Sequence, residues 1–160
     1  MSPPSGPTPA VTVAARAGVA FEVHRYDHDP DEPSYGQEAA EMLGVDEERV
    51  FKTLVAFVDG HLAVAVVPVS GQLDLKRLAA ALGGHKASMV HPSEAERATG
   101  YVVGGISPLG QKRKLPTVVD SSAERWPTIF VSGGRRGLEL EIAPADLARL
   151  VGAKLAPLSR

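Results

Sequence analysis

The 160 residues suit one domain and exclude a second of ordinary size, since independent domains commonly run about 100 to 200 residues. Hydrophobic residues at 44% and charged residues at 22% can build a core and exclude a wholly disordered chain. Seventeen Lys plus Arg against nineteen Asp plus Glu give a net charge of −2, which excludes a bulk electrostatic grip on a polyanion and makes any nucleic-acid contact local or brokered by a partner.

The first ten residues, MSPPSGPTPA, lack the basic start and long apolar centre of a secretory signal. No later stretch reaches the roughly 18 apolar residues of a membrane span, so a cytoplasmic chain without membrane contact is expected. Pro3, Pro4 and Pro7 make residues 1–8 a flexible leader, because proline removes backbone donors and the segment has little to bury, and 9–160 is the expected domain.

Thr8 as N-cap, Pro9 at the first position and Gly18 as a stop predict a helix over Pro9–Ala17. Val19 to Tyr26 alternates as a strand does, and the acidic run Asp27 to Glu32 breaks it. Ser34 with Gln37 three residues on is a capping-box pattern, opening a short helix that ends at Gly44. Val50–Val58 and Leu62–Val69 are apolar, branched runs parted by Asp59-Gly60-His61, which reads as a hairpin of central strands. Asp74 caps a helix through Leu82, Lys86–Val90 returns as a strand, and Ser93 opens another short helix. The glycine-rich stretch GYVVGGISPLGQKRKLP begins at Gly100. Thr117–Val119, Thr128–Val131 and Leu138–Ile142 are strands, the last two joined by SGGRRG, before a final helix opened by Pro144 or Asp146. Helices interspersed among hairpin strands predict an α+β fold with a mixed, partly barrel-like sheet surrounded by helices.

Two places stand out chemically. Lys52 lies in VFKTLVAFV, a strand apolar on both faces, where its ammonium either snorkels to water along the side-chain stem or is held over a pocket as a charge stabiliser or base. Gly104-Gly105-Ile106-Ser107-Pro108 is either a tight turn or a rigid loop whose backbone donors meet a ligand. It has neither the Walker spacing nor the dinucleotide fingerprint. Gly133-Gly134 read as an ordinary turn with Ser132 beside them. Lys112, Arg113 and Lys114 are either a phosphate contact or a solvated loop. Glu139 and Glu141 alternate with Leu138, Leu140 and Ile142, so their default place is a solvated strand face. The five His residues show no metal-ligand spacing, and without Cys there is no thiolate nucleophile or disulfide; no metal or other cofactor is expected.

The strings FKTL, AVAVVPVSGQLDLK, TGYVVGGISPLGQKRKLP and IFVSGGRRGLELEI, in this order, closely resemble the YbaK/EbsC family of aminoacyl-tRNA deacylases, from about Val19 to Lys154. The resemblance implies the fold of the editing domain inserted in bacterial prolyl-tRNA synthetases and hydrolysis of mischarged Cys-tRNA(Pro), with Cys-tRNA(Cys) as a further substrate. It implies that Lys52 is the residue on which activity depends. Tyr26, Tyr35, Thr53, Gly104, Gly105, Ile106, Ser107, Pro108, Ser132 and Glu139 fall at positions of the family's pocket. The family's mechanism is substrate-assisted: the cysteine thiol attacks its own carbonyl and releases the tRNA as a thiolactone forms, with water or a ribose hydroxyl as the rival attacking group. Tyr35 replaces a phenylalanine and Glu139 an aspartate of the family pattern, which bears on selectivity between cysteine and alanine or other small amino acids. Weak bulk charge together with the resemblance implies prolyl-tRNA synthetase as a transient partner of a monomeric chain. The alternative is a module that binds a tRNA end or a synthetase without hydrolysis.

Overall fold

The computed structural model describes residues 6–160, so residues 1–5 of the expected leader lie outside the described residues. Thr8 is buried, accepts a hydrogen bond from the Val11 amide at 3.2 Å and donates to the Gly133 carbonyl. Helix α1 (Pro9–Ala17) starts there and stops at Gly18, whose φ of 72° is the left-handed cap that glycine adopts without strain. The remaining elements are β1 (Phe21–Arg25), α2 (Tyr35–Leu43), β2 (Phe51–Val58), β3 (His61–Pro68), α3 (Leu75–Ala81), β4 (Ala87–Met89), α4 (Pro92–Thr99), β5 (Thr117–Asp120), β6 (Ile129–Arg135), β7 (Leu138–Ile142), α5 (Pro144–Val151) and β8 (Lys154–Ala156).

The α+β architecture is as expected, but its strands divide between two sheets and do not close into a barrel. One sheet is antiparallel, in the order β1-β7-β6; the other is mixed, β4-β2-β3-β5-β8, with β5 parallel to both β3 and β8. An isolated parallel bridge between Val50 and Phe130 joins the two. Phe51, Val55, Val64, Val66 and Val119 meet Ile129, Val131, Leu140 and Ile142 in one core, closed by α1, α4 and α5 through Ala10, Ala14, Ala95, Ala98 and Leu147. The opposite face of β2 and β3, with Ala56, Val58, Ala65 and Val67, packs on Leu78 and Ala79 of α3. Strand β2 is thus buried on both faces, as its unbroken apolar run implies.

The β2–β3 connection is a two-residue turn, with positive φ at Asp59 (50°) and Gly60 (82°), the pairing that matches strand twist. The Asp59 carboxylate accepts the amides of His85 and Lys86 and so ties β4 to the same end. Two helix starts differ from expectation. Ser34 stands at the N-cap of α2 but makes no side-chain cap bond, and the Gln37 side chain, which would make the reciprocal bond of the box, donates to the Val69 carbonyl at 3.2 Å instead. His91 rather than Ser93 caps α4, its Nδ1 accepting the Ser93 amide. Strand β8 and the 3-10 turns Glu47–Arg49 and Ser121–Arg125 carried no sequence signal.

Candidate active site

Strand β4 pairs with β2 only over Ala56–Val58, and the Val90 amide reaches the Val55 carbonyl. From Phe51 to Thr53 no strand ladder covers that edge of β2, and a cavity of about 460 Å³ opens there. This is a size that suits a small-molecule site. Because it wraps the strand edge, side chains from both faces of β2, from Phe51 through Val55, line it together. The N-terminal turn of α2, Met89 at the end of β4 and Val90 just beyond it, Val103, Gly104 and Ile106 of the glycine loop, and Ser132 and Glu139 of β6 and β7 complete the wall.

Within this largely apolar wall the polar groups are poorly answered. Lys52 is half-buried and makes no hydrogen bond or ion pair with any described residue. Burial lowers its ammonium pKa from the ordinary value. The Thr53 hydroxyl is out of solvent and has no partner, and the same holds for Glu139 Oε2. Burial raises the Glu139 carboxyl to about 8. Unpaired polar atoms in a low-dielectric wall cost stability unless a ligand answers them, so their gathering at one cavity makes it the candidate binding site.

Glu139 and Glu141 both depart from the solvated face that alternation implies. The polar face of β7 is roofed by α2 and the turn before β2, whose Ala39, Ala40 and Val50 pack with Phe130. Glu141 is answered there: Thr128 donates to it at 2.5 Å, Arg49 at 3.2 Å, and His24 lies 2.8 Å away. Burial alone would raise its carboxyl, but these partners hold it below the usual range. Glu22, His24 and Glu141 bring ligating atoms within 4.8 Å of one another among the described residues, yet Arg49 and Thr128 already occupy the inner carboxylate.

The glycine loop divides in two. Gly104 and Ile106 line the cavity, whereas Gly105, Ser107 and Pro108 are buried behind it. Gly105 is pressed on the β6–β7 turn, where a Cβ would stand 2.7 Å from Arg135 Cα, and its amide is spent on the Val102 carbonyl at 2.8 Å. Ser107 accepts the Leu109 amide at 3.2 Å, so its hydroxyl shapes the loop rather than the cavity. Tyr26 is also outside the lining; burial first, then the nearby carboxylates of Glu139 and Glu38, push its phenol up to about 12. Lys112, Arg113 and Lys114 are exposed farther along the loop.

Tyr35 lies against Gly104, with the Arg136 guanidinium 4.8 Å from its ring centre. Arg136 also donates from Nε to the Val103 carbonyl at 2.9 Å, clamping the glycine loop to the β6–β7 turn. Reading the sequence missed Arg136 because a basic turn residue is ordinarily solvated. It missed Met89 and Val90 because they are unremarkable as strand residues and only the short pairing of β4 turns them to the cavity.

A sequence model described as the aminoacyl-tRNA editing domain matches residues 29–150. The chain is 35% identical over 153 residues to EbsC of Enterococcus faecalis, provisionally named a Cys-tRNA(Pro)/Cys-tRNA(Cys) deacylase, covering 95% of this chain and 93% of the relative. It is 31% identical over 121 residues to the multifunctional Ser/Thr-tRNA deacylase ProXp-y of Escherichia coli K12, with 72% of each chain covered. A crystal structure described as a trans-editing enzyme for prolyl-tRNA synthetase superposes with a TM-score of 0.81 at 25% identity, over 93% of both chains.

Proposed function

The chain belongs to the aminoacyl-tRNA editing domain family, and on that premise we propose that it is a trans-editing deacylase that removes cysteine from Cys-tRNA(Pro) and also from Cys-tRNA(Cys). The observation that carries this reading is Lys52: an ammonium without an ionic partner among the described residues, beside the orphaned Thr53 hydroxyl in the wall of a half-open cavity. A hydrolase has a direct use for such a cation, because negative charge develops on the ester carbonyl oxygen as it is attacked. The relative aligned along nearly the whole chain supports cysteine as the amino acid.

The absence of Cys from the chain suits a reaction in which the substrate supplies its own nucleophile. The cysteine thiol adds to its own ester carbonyl, Lys52 stabilises the oxyanion, and the bond to the ribose oxygen breaks. The thiol proton ends on that oxygen, leaving a free tRNA end and a cyclic thiolactone that water opens later. The cavity's part is to hold thiol and carbonyl at attack distance, and Thr53, Tyr35, Ser132, Gly104 and Ile106 shape it for a small side chain. Tyr26, Gly105, Ser107 and Pro108 support that wall from behind. A net charge of −2 leaves little general affinity for a tRNA body, which supports delivery of the acceptor end by prolyl-tRNA synthetase in a transient cytoplasmic complex with a monomer of this chain.

The test is release of labelled cysteine from preformed Cys-tRNA(Pro), with Ala-tRNA(Pro) and Ser-tRNA as comparison substrates and with prolyl-tRNA synthetase present and absent. Release by the wild type that Lys52→Ala abolishes is the expected result. No release above the enzyme-free rate by folded protein, with synthetase supplied, would leave the binding module standing instead.

A further inference from the structure

Glu139 is the buried charge-bearing side chain that the proposed reaction leaves without a task. Only 8% of it is exposed, it lines the cavity, and its Oε2 has no hydrogen-bond partner. Lys52 lines the same cavity, yet no ion pair joins the two. Its strand neighbour across the ladder, His24, is turned to Glu141. Glu139 thus lines the cavity with a carboxyl oxygen that its own side of the protein leaves without a partner among the described residues.

An aminoacyl ester carries a primary amine on the carbon next to the reacting carbonyl. We propose that Glu139 is the receptor for the α-amino group of the aminoacyl end, and that it makes the cavity accept a free aminoacyl group and refuse an N-acylated one. The inference rests on the deacylase reading and adds a specificity to it. A carboxylate that pairs with an ammonium completes the hydrogen bonding of both groups. An amide nitrogen in the same place is neutral and bulky and leaves the buried oxygen unanswered, a loss of the kind that lets polar sites discriminate strongly. The consequence is that a peptidyl-tRNA, whose amino group is acylated, is spared while a mischarged aminoacyl-tRNA is cleared.

Ser132 stands opposite Glu139 on β6, and Tyr26, beyond the end of β1, feels its charge; Lys52 on β2 and Tyr35 on α2 share the cavity lining, and Glu38, bonded to His28, also acts on Tyr26. Burial keeps the unliganded carboxyl protonated up to about pH 8. The proton has to go somewhere on binding. An amine that arrives neutral takes it from Glu139; one that arrives as an ammonium displaces it to water. Both routes end in the same ion pair.

The test measures binding to the full chain of a tRNA acceptor minihelix ending in 3′-amino-3′-deoxyadenosine with amide-linked cysteine, against its N-acetyl counterpart. The amide link resists hydrolysis and keeps the amine. The wild type is expected to bind the free-amine form about tenfold or more tightly than the N-acetyl form. Glu139→Gln, isosteric and neutral, is expected to bind both alike, while Glu139→Asp keeps the preference. Calorimetry near pH 6.5 in buffers of different ionisation heat is expected to show about one proton released per amine ligand. Equal binding of the two forms by the wild type, or a preference that survives in Glu139→Gln, overturns the inference. If the wild type still deacylates Cys-tRNA in that case, only the role of Glu139 falls; if it neither binds the minihelices nor deacylates, the deacylase reading falls with it.

Discussion

Glu139 and Glu141 stand two residues apart on the same face of β7, and the fold answers one and leaves the other bare. Glu141 receives Thr128, Arg49 and His24; Glu139 lines the cavity, and its Oε2 receives nothing among the described residues. The strand that supplies both therefore joins a structural network to a binding wall, and the two carboxylates respond oppositely to burial, one held low and the other raised.

Replacing Glu139 by Gln is expected to change stability in a pH-dependent way. Burial raises the folded carboxyl from 4.5 to about 8, so the wild type is most favoured below about pH 4.5 and loses stability as pH rises to about 8. Gln carries no such charge. The Tm of Glu139→Gln relative to wild type should climb between about pH 5 and 8 and level off above; thermal melts across that range check it, and a flat difference would contradict the burial of a titrating Glu139.

Lys52→Met should separate activity from stability. Burial lowers the Lys52 pKa, so carrying the charge costs stability at neutral pH, and that cost is relieved as pH rises through the lowered folded pKa and is gone above the ordinary value of 10.5. Met is expected to keep or raise Tm at pH 7, with the gap narrowing as pH rises toward 10.5 and constant above it. Single-turnover deacylation should fall about 100-fold or more, the loss seen when a donor to a developing oxyanion is removed. A large drop in Tm with activity retained would mean that the ammonium snorkels and does no chemistry.

Gly104→Ala should damage the site more than the fold. At φ 88° an L side chain is strained, and its Cβ would stand 2.8 Å from the Tyr35 ring. Gly152→Ala, at φ 66° with nothing within 4 Å, supplies the control for backbone strain alone. Both are expected to lose about 1 kcal/mol of stability, while only Gly104→Ala loses deacylation, by tenfold or so through the displaced ring and its Arg136 clamp. Equal activity in the two variants would show that the Tyr35 contact does not set the cavity's shape.

Asp120 holds the C-terminal strand. Its Oδ1 accepts the amides of Leu158 at 2.7 Å and Ser159 at 2.9 Å, and its Oδ2 accepts Ser122. Burial alone would raise this carboxyl, but Ser122 and the Leu158 and Ser159 amides keep it below 3.8, so its contribution is present above that pH and lost as pH falls. Asp120→Asn is expected to cost about 2 kcal/mol at pH 7, with the difference from wild type closing below about pH 3.8. Denaturant melts at the two pH values, with hydrogen exchange at β8, report it.

Much of the chain is legible without coordinates because its information is local. Glycine after a helical run, Asp-Gly between branched strands and Asp74 before an apolar stripe each act through their own backbone, and they produce α1, the β2–β3 hairpin and α3. Lys52 is conspicuous because an ammonium contradicts an apolar strand whatever surrounds it. What sequence could not carry was non-local pairing. Ser34 and Gln37 have the spacing of a capping box, but a carbonyl 32 residues further along the chain from Gln37, at Val69, captures that amide. Lys154-Leu155-Ala156 has no strand pattern of its own and becomes β8 only because β5 offers an edge and Asp120 anchors Leu158 and Ser159 just beyond it. Glu139 alternates like a solvated residue and is buried because α2 and the Gly104 loop close over its face of the sheet. Local sequence accounts for most of the elements and for the presence of an unreconciled cation; which polar atoms are left without a partner was decided by the tertiary structure, since an atom is orphaned only when distant segments exclude water without replacing it.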